Sequence, residues 1–186
     1  MAQNCDNGTR CIPSIGNQTP FVPGPILGFE EGDTVTLEFF VPGLPKPAGS
    51  KKGFAIPNKK RPGKHRVIIT DAAGAPGKAW RADCKSYARD AYDGPPLTGA
   101  ILAEFLFTLP RPKSHFGSGK NSGKLKASAP IAHTIRPDIT KLTRAVEDAL
   151  SGIIWRDDAQ IIRQAGLKEY GQIPGVYVSI KCLEED

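Results

Sequence analysis

The segment from Pro137 to Gly152 constrains this chain more than any other. Within it Leu142, Ala145, Val146, Ala149 and Leu150 fall at i, i+3, i+4, i+7 and i+8. That spacing gathers the apolar side chains into one stripe of an α-helix and leaves Lys141, Arg144, Glu147 and Asp148 off it. Pro137-Asp138 suits the helix entrance and Gly152 its C-terminal cap. Such a stripe needs an apolar surface to lie on. Ala100 to Thr108, the most apolar stretch of the chain, offers one, and its length and aromatic content suit a buried strand better than a helix. An apolar strand, an amphipathic helix and further strands together point to an α/β (α+β) domain.

The remaining elements follow from the same patterns. A strand is expected from Thr34, with Val35, Leu37 and Phe39 on one face, ending in the proline-rich loop Val41 to Ser50. Arg66 to Thr70 reads as a short strand after a basic segment. Lys78 to Tyr92 has the composition of a helix, with Trp80, Cys84, Tyr87, Ala88 and Ala91 on one side, and Asp93-Gly-Pro-Pro96 stops it. Gln160 to Tyr170 and Gly175 to Cys182 read as two strands joined by Gly171 to Pro174. Leu109 to Ala132, rich in Pro, Gly, Ser and Lys, is a long loop of the kind that is usually functional. Residues 1–33 show neither period and are expected to be a flexible N-terminal extension, which leaves 34–186 as a single domain.

Charge narrows the function. Lys and Arg outnumber Asp and Glu by 25 to 19 in 186 residues, a net +6, and the surplus is localised. Lys46, Lys51, Lys52, Lys59, Lys60, Arg61, Lys64 and Arg66 form a run with no acidic residue in it, and Arg111, Lys113, Lys120, Lys124 and Lys126 form a second. A polyanion is the implied partner, with nucleic acid ahead of an anionic membrane. The first residues carry no export signal and no apolar run reaches spanning length, so a cytoplasmic protein without a membrane partner is expected. Cys5, Cys11, Cys84 and Cys182 include no C-x-x-C pair, which argues against a zinc site and for free thiols.

The chemistry concentrates around the helix. Asp138 stands at its entrance, Arg144 about two turns in, and the pair Asp157-Asp158 beyond it, where the chain enters a strand. Phosphodiester hydrolysis needs oxygens that hold a hard cation and a positive group that offsets charge developing on the phosphate. These residue types supply both. They also have plainer uses: Pro-Asp is a common N-cap, and paired aspartates often mark a solvated turn. If Asp157 and Asp158 lie in a strand, they point to opposite faces, and one of them faces Asp138. His133, shortly before Asp138, can protonate a leaving oxygen or contact phosphate, while His115 lies in the basic loop. Core packing is the expected use of Trp80 and Trp155.

From Pro137 to Ile161 the chain resembles the RusA family of Holliday junction resolvases. That family's signature reads Pro-Asp-x-Asp-Asn-Leu-x-Lys, then Asp-Ala-Leu, then an aromatic shortly before Asp-Asp-x-Gln-Val/Ile. Pro137, Asp138, Leu142, Asp148-Ala-Leu150, Trp155, Asp157, Asp158, Gln160 and Ile161 match it. The resemblance implies a RusA-like single domain at 34–186, a mixed β-sheet packed with two main helices, and a homodimer. It implies a Mg²⁺-dependent endonuclease, with Mn²⁺ able to substitute, that resolves four-way junctions and related branched DNA by paired nicks in recombination and repair. A bacterial or a phage source fits equally.

By position, Asp138 and Asp158 become metal ligands, with Asp157 available beside them, and Arg144 takes the place of the family's catalytic Lys. Two departures stand out: Thr140 replaces the second helix-entrance aspartate and Lys141 replaces the Asn. Either Thr140 keeps an oxygen and Lys141 contacts the scissile phosphate in a rearranged active site, or metal binding is weakened and the protein binds junctions without cutting them. The DNA surface is expected at Lys51, Lys52, Lys59, Lys60, Arg61, Lys64, Arg66, Lys113, Lys120, Lys124, Lys126, His133 and Arg136. A basic RNA-binding or ribosome-associated protein would suit the charge and leave the Asp138 to Ile161 pattern unexplained.

Overall fold

A computed structural model describes residues 37–49, 51–57, 60–71 and 73–183. The expected extension 1–33, the start of the first strand at Thr34 and the acidic end 184–186 lie outside the described residues. Among those described, the chain forms strands β1 (Leu37–Pro42), β2 (Lys51–Pro57) and β3 (His65–Asp71), helix α1 (Gly74–Ala91), strand β4 (Ala100–Leu109), helix α2 (Ile139–Leu150) and strands β5 (Ile161–Tyr170) and β6 (Gly175–Leu183). Four strands make a mixed sheet in the order β1-β6-β4-β5, and β2 and β3 pair as a separate antiparallel ribbon.

β4 is the interior strand that sequence pattern promised. It runs antiparallel to β6 on one side and parallel to β5 on the other. Ile101, Ala103, Phe105, Phe107 and Leu109 alternate onto one face, where Phe39 and Val41 of β1 and Val176, Val178 and Ile180 of β6 join them. Both helices cover that face. Trp80, Cys84 and Ala88 come from α1, and Leu142, Ala145, Val146, Ala149 and Leu150 come from α2; this last set is the predicted stripe, all at 1% exposure or less. Burying apolar surface of this extent at roughly 25 cal/mol per Å² is what holds helices and sheet together. β4, α2 and β5 form a βαβ unit in which the helix carries the chain between two parallel neighbours. α2 consequently runs antiparallel to β5: Lys168 reaches Pro137, the backbone of Gly166 approaches Ile139 and Thr143, and Gln164 meets Glu147.

Several boundaries differ from expectation. α1 begins at Gly74, before Lys78, because Pro76 falls in the first turn, where its missing N–H has no helical acceptor to lose. Lys51 to Pro57, read as part of a basic run, is a strand paired residue by residue with His65 to Asp71. Gly171 to Pro174 does not close a hairpin, since β5 and β6 lie on opposite sides of β4. The link passes over the end of β4, where the Gly171 N–H donates to the Leu109 carbonyl at 3.0 Å. A Cβ at Gly171 would run into the Thr108 methyl, so glycine is required there. Gly152 follows the C-cap Ser151 with φ +78, a conformation that suits glycine.

Candidate active site

Asp138 is the N-cap of α2, yet its carboxylate accepts no bond from the helix amides. An N-cap aspartate ordinarily commits an oxygen to the N2 or N3 amide. This one stays 60% exposed and faces the Lys141 ammonium at 3.5 Å. The backbone around it is fixed from outside the helix. The Lys168 ammonium donates to the carbonyls of Ile135 and Pro137 at 2.7 and 2.8 Å, and the Ala48 N–H, from the loop after β1, donates to the Lys141 carbonyl at 2.7 Å. That loop and the start of α2 enclose a cleft of about 540 Å³, with Asp138 and Lys141 on one wall, Lys46 on the other and Arg136 at its side. An exposed carboxylate among three cations is arranged to meet a phosphate with a cation between them, or to be neutralised by its own lysine.

Along α2, Thr140, Lys141, Arg144 and Asp148 are all exposed, so the positions expected to act do stand on the solvent side. Glu147 lies half-buried beside them and accepts a hydrogen bond from the Gln164 amide. Burial pushes the Glu147 carboxyl up from the usual range. The Gln164 bond and Arg144 act against this shift, while Asp158 and Asp148 add to it. The helix is therefore polarised, with Lys141 and Arg144 in its first half and Glu147 and Asp148 in its second. This order opposes the helix dipole, which favours anions at the N-terminus and cations at the C-terminus.

Asp157 and Asp158 do not sit in a strand. They open a short 3₁₀ turn at Asp158–Gln160, just before β5, so strand alternation does not decide between them. Hydrogen bonding does. Asp157 Oδ1 accepts from the Ala159 N–H at 2.8 Å, and Gln160 Oε1 accepts from the N–H groups of Arg156 and Asp157 at 2.8 and 3.0 Å. Gln160 Nε2 then donates to the carbonyls of Leu97 and Gly99, both at 2.9 Å, stitching the turn to the start of β4. The Asp157 carboxylate is thus a cap. Asp158 is held differently: the indole N–H of fully buried Trp155 donates to its Oδ1 at 3.0 Å. A rigid core residue orients a carboxylate that is itself exposed.

The course of the chain sets Asp138 and Asp158 toward opposite ends of α2, since Lys168 of β5 lies by Pro137 and Gln164 by Glu147. Asp138 precedes α2 and Asp158 follows it, and a helix of 12 residues is about 18 Å long. Ligand oxygens on one Mg²⁺ lie roughly 2.1 Å from the metal, hence within about 4 Å of each other. Among the described residues no three His, Cys, Asp or Glu side chains gather as a metal site.

The expected DNA-contacting residues divide. Lys60, Arg61, Lys64 and Arg66 are exposed at the turn end of the β2–β3 ribbon, and Lys113, Lys120 and Lys124 are exposed in the long loop. Lys126 is exposed there too, with its ammonium on the Ser114 carbonyl at 2.9 Å. The side chains of Lys51 and Lys52, and the whole of Lys59, lie outside the described residues. His133 departs from expectation: it is 7% exposed and packed against the Tyr170 ring at 4.6 Å between centroids. Arg111 lies over the same ring at 4.4 Å and His115 meets its edge. Burial lowers the His133 pKa, and the charge of Lys168 acts in the same direction. His133 ties the long loop to the end of β5 and presents no surface to a phosphate.

Sequence reasoning missed Lys46 and Lys168 beside Asp138, and Glu147 with Gln164 near Asp158. Lys46 lies in the first basic run, but only the course of the proline loop carries it to the cleft. Lys168 and Gln164 come from a strand whose run beside α2 no local pattern reveals.

Comparison with known proteins agrees with the geometry. The family profile described as endodeoxyribonuclease RusA matches residues 54–181. The chain is also 31% identical over 85 residues to the uncharacterized protein YqaN of Bacillus subtilis (strain 168), a match that covers 46% of this chain and 59% of that protein. The profile takes in both helices, the Arg136 to Lys141 side of the cleft, the Asp157–Gln160 turn and the sheet strands β4, β5 and most of β6, while the Leu44 to Pro47 side of the cleft precedes it. With more than half of its length matched in this way, the chain belongs to the RusA endodeoxyribonuclease family.

Proposed function

We propose that the protein is a Mg²⁺-dependent, structure-selective endodeoxyribonuclease that resolves four-way junctions and related branched DNA by paired nicks during recombination and repair. The observation that carries this reading is Asp138, a carboxylate at an N-cap that does no capping and stands exposed in a basic cleft. A second carboxylate, Asp158, is oriented from the core by Trp155. The placement of the two toward opposite ends of α2 supports a reading with two copies, in which Asp138 of one and Asp158 of the other are the groups that would hold Mg²⁺. A symmetric dimer then has two such places, as paired nicks demand. Bound there, Mg²⁺ would supply charge neutralisation at the scissile phosphate and favour deprotonation of the attacking water. The chain's own cations do the rest: Arg144 and Lys141 offset charge on the phosphate, and Lys46 and Arg136 hold flanking phosphates in the cleft.

Incubation of the protein with a labelled four-way junction and Mg²⁺ or Mn²⁺ tests the proposal. Symmetric nicks are expected. Absence of nicks in either metal, at concentrations that shift the junction on a gel, rejects it. That outcome would favour a second reading, a junction-binding protein that does not cut, which the Lys141 ammonium already facing Asp138 and the neutral Thr140 both support.

A further inference from the structure

We propose that the open face of the β2–β3 ribbon, where Val67 and Ile69 stand beside Gly53 and Ala55, is an apolar shelf for a base exposed at a branch point, and that this shelf gives the protein its preference for branched over linear DNA. The proposal deepens the branched-DNA reading above and rests on it.

Register builds the shelf. Directly opposed residues of an antiparallel pair share a face. Gly53 stands opposite Ile69 and Ala55 opposite Val67, so β2 gives that face almost no side chain while β3 gives it two β-branched ones. Val67 and Ile69 are 64% and 67% exposed, and Gly53 and Ala55 are exposed as well. A Cβ placed at Gly53 would lie 3.5 Å from Val67 Cγ1, so the bare backbone of Gly53 runs directly beside that side chain. The result is a low step, with backbone for its floor and Val67 and Ile69 for its wall. The opposite face differs. There Phe54 faces Ile68 and Ile56 faces Arg66, and both isoleucines are half-buried.

An exposed apolar patch rimmed by charge marks an interaction site, and the charge here selects the occupant. Exposed Lys60, Arg61, Lys64 and Arg66 lie at the turn end of the same ribbon, within a run from Lys46 to Arg66 that holds no acidic residue. The occupant therefore presents an apolar surface and negative charge side by side. A nucleotide does so, with a flat base face next to its phosphate. In linear duplex each base face is covered by its neighbours, and Val67 and Ile69 have nothing to pack on. Where stacking is already interrupted, an apolar side chain is laid against a base at the least cost. An anionic membrane also combines the two chemistries, but membership of an endodeoxyribonuclease family favours DNA.

Two full-length variants test the shelf, with affinity measured by fluorescence polarisation in EDTA for a four-way junction and for a linear duplex of the same arm sequence. Val67→Thr with Ile69→Thr keeps the β-branched shape and removes the apolar wall. Gly53→Leu keeps every apolar group and fills the step, at a position without positive φ. Each should weaken junction binding by on the order of tenfold while duplex binding and its salt dependence hold. A 2-aminopurine at the branch point should brighten when the unchanged protein binds, and less with either variant. If the ribbon were only structural, leucine would serve its strand better than glycine, so a loss in Gly53→Leu is specific to the shelf. The proposal is overturned if either variant leaves junction affinity unchanged or if junction and duplex affinities fall together. It is also overturned if the variants lose binding to phosphatidylglycerol vesicles and keep junction binding, which would make the face a membrane contact. A protein whose junction preference depends on the shelf but that never nicks DNA in Mg²⁺ or Mn²⁺ would overturn the nuclease reading alone.

Discussion

Adjacent identical residues can have unrelated jobs, and Asp157 and Asp158 show how hydrogen bonding separates them. Asp157→Ala removes a cap and should cost about 1 kcal/mol of stability, read as a lower urea midpoint, with nicking retained at temperatures where the fold persists. Asp158→Asn keeps shape and the Trp155 bond, so the urea midpoint should hold while nicking falls on the order of 10²-fold or more. If Asp158→Asn cuts junctions normally, the assignment of that carboxylate is wrong. His133 makes a prediction about pH. Its folded pKa is lowered by burial, so the unfolded chain takes up the proton first, near 6.5. The stability associated with neutral His133 is complete above that value and is lost as pH falls through it. Urea midpoints should drop between pH 7.5 and 5.5, and His133→Phe should flatten the drop; an unchanged slope would show that another group titrates. Both sites were visible in the sequence as residues. Their roles were not, because a cap and a ligand carry the same carboxylate, and a buried imidazole differs from an exposed one only in what the rest of the chain packs around it.

Elements with a strong period were legible; elements defined by pairing were not. The α2 stripe, from Leu142 to Leu150, and the apolar run of β4 come from local order, and the fold places them as expected. The βαβ unit they form also gave the site its first carboxylate. β2 is not legible locally, because Lys51 to Pro57 has too little alternation to announce a strand until His65 to Asp71 lies beside it. Gly171 to Pro174 reads locally as a simple connection, since nothing local says that β4 lies between the strands it joins. Gly171→Ala forces a methyl into Thr108 and should destabilise the domain by about 1–3 kcal/mol in urea denaturation. An unaffected midpoint would mean that the crossing over β4 has room to relax. Neither the period of α2 nor the motif around it shows that Asp138 and Asp158 stand at opposite ends of the helix. That fact follows from β5 running back alongside it.

For the whole molecule, the basic residues are distributed over three structures: the ribbon turn, the long loop and the Asp138 cleft. A polyanion that reaches all of them must span the protein, so affinity should depend steeply on salt. Each duplex phosphate neutralised contributes about −0.9 to the slope of log affinity against log salt. Changing Lys60, Arg61, Lys64 and Arg66 to alanine should make that slope shallower by up to roughly 3.6, whether the duplex arms are rich in A·T or G·C. A slope that does not change would take the ribbon out of the DNA surface. The ribbon also has a thermodynamic standing of its own. β2 and β3 pair with each other and with no strand of the main sheet, while Phe54, Val67 and Ile69 remain more than half exposed. A two-stranded hairpin whose described apolar side chains are at most half-buried is marginal in water. Its amides should therefore open and exchange hydrogen for deuterium without waiting for the core to unfold, and slow down sharply only when a ligand lies across them. Exchange protection in that one segment would report occupancy of the protein by DNA, independent of whether any bond is cut.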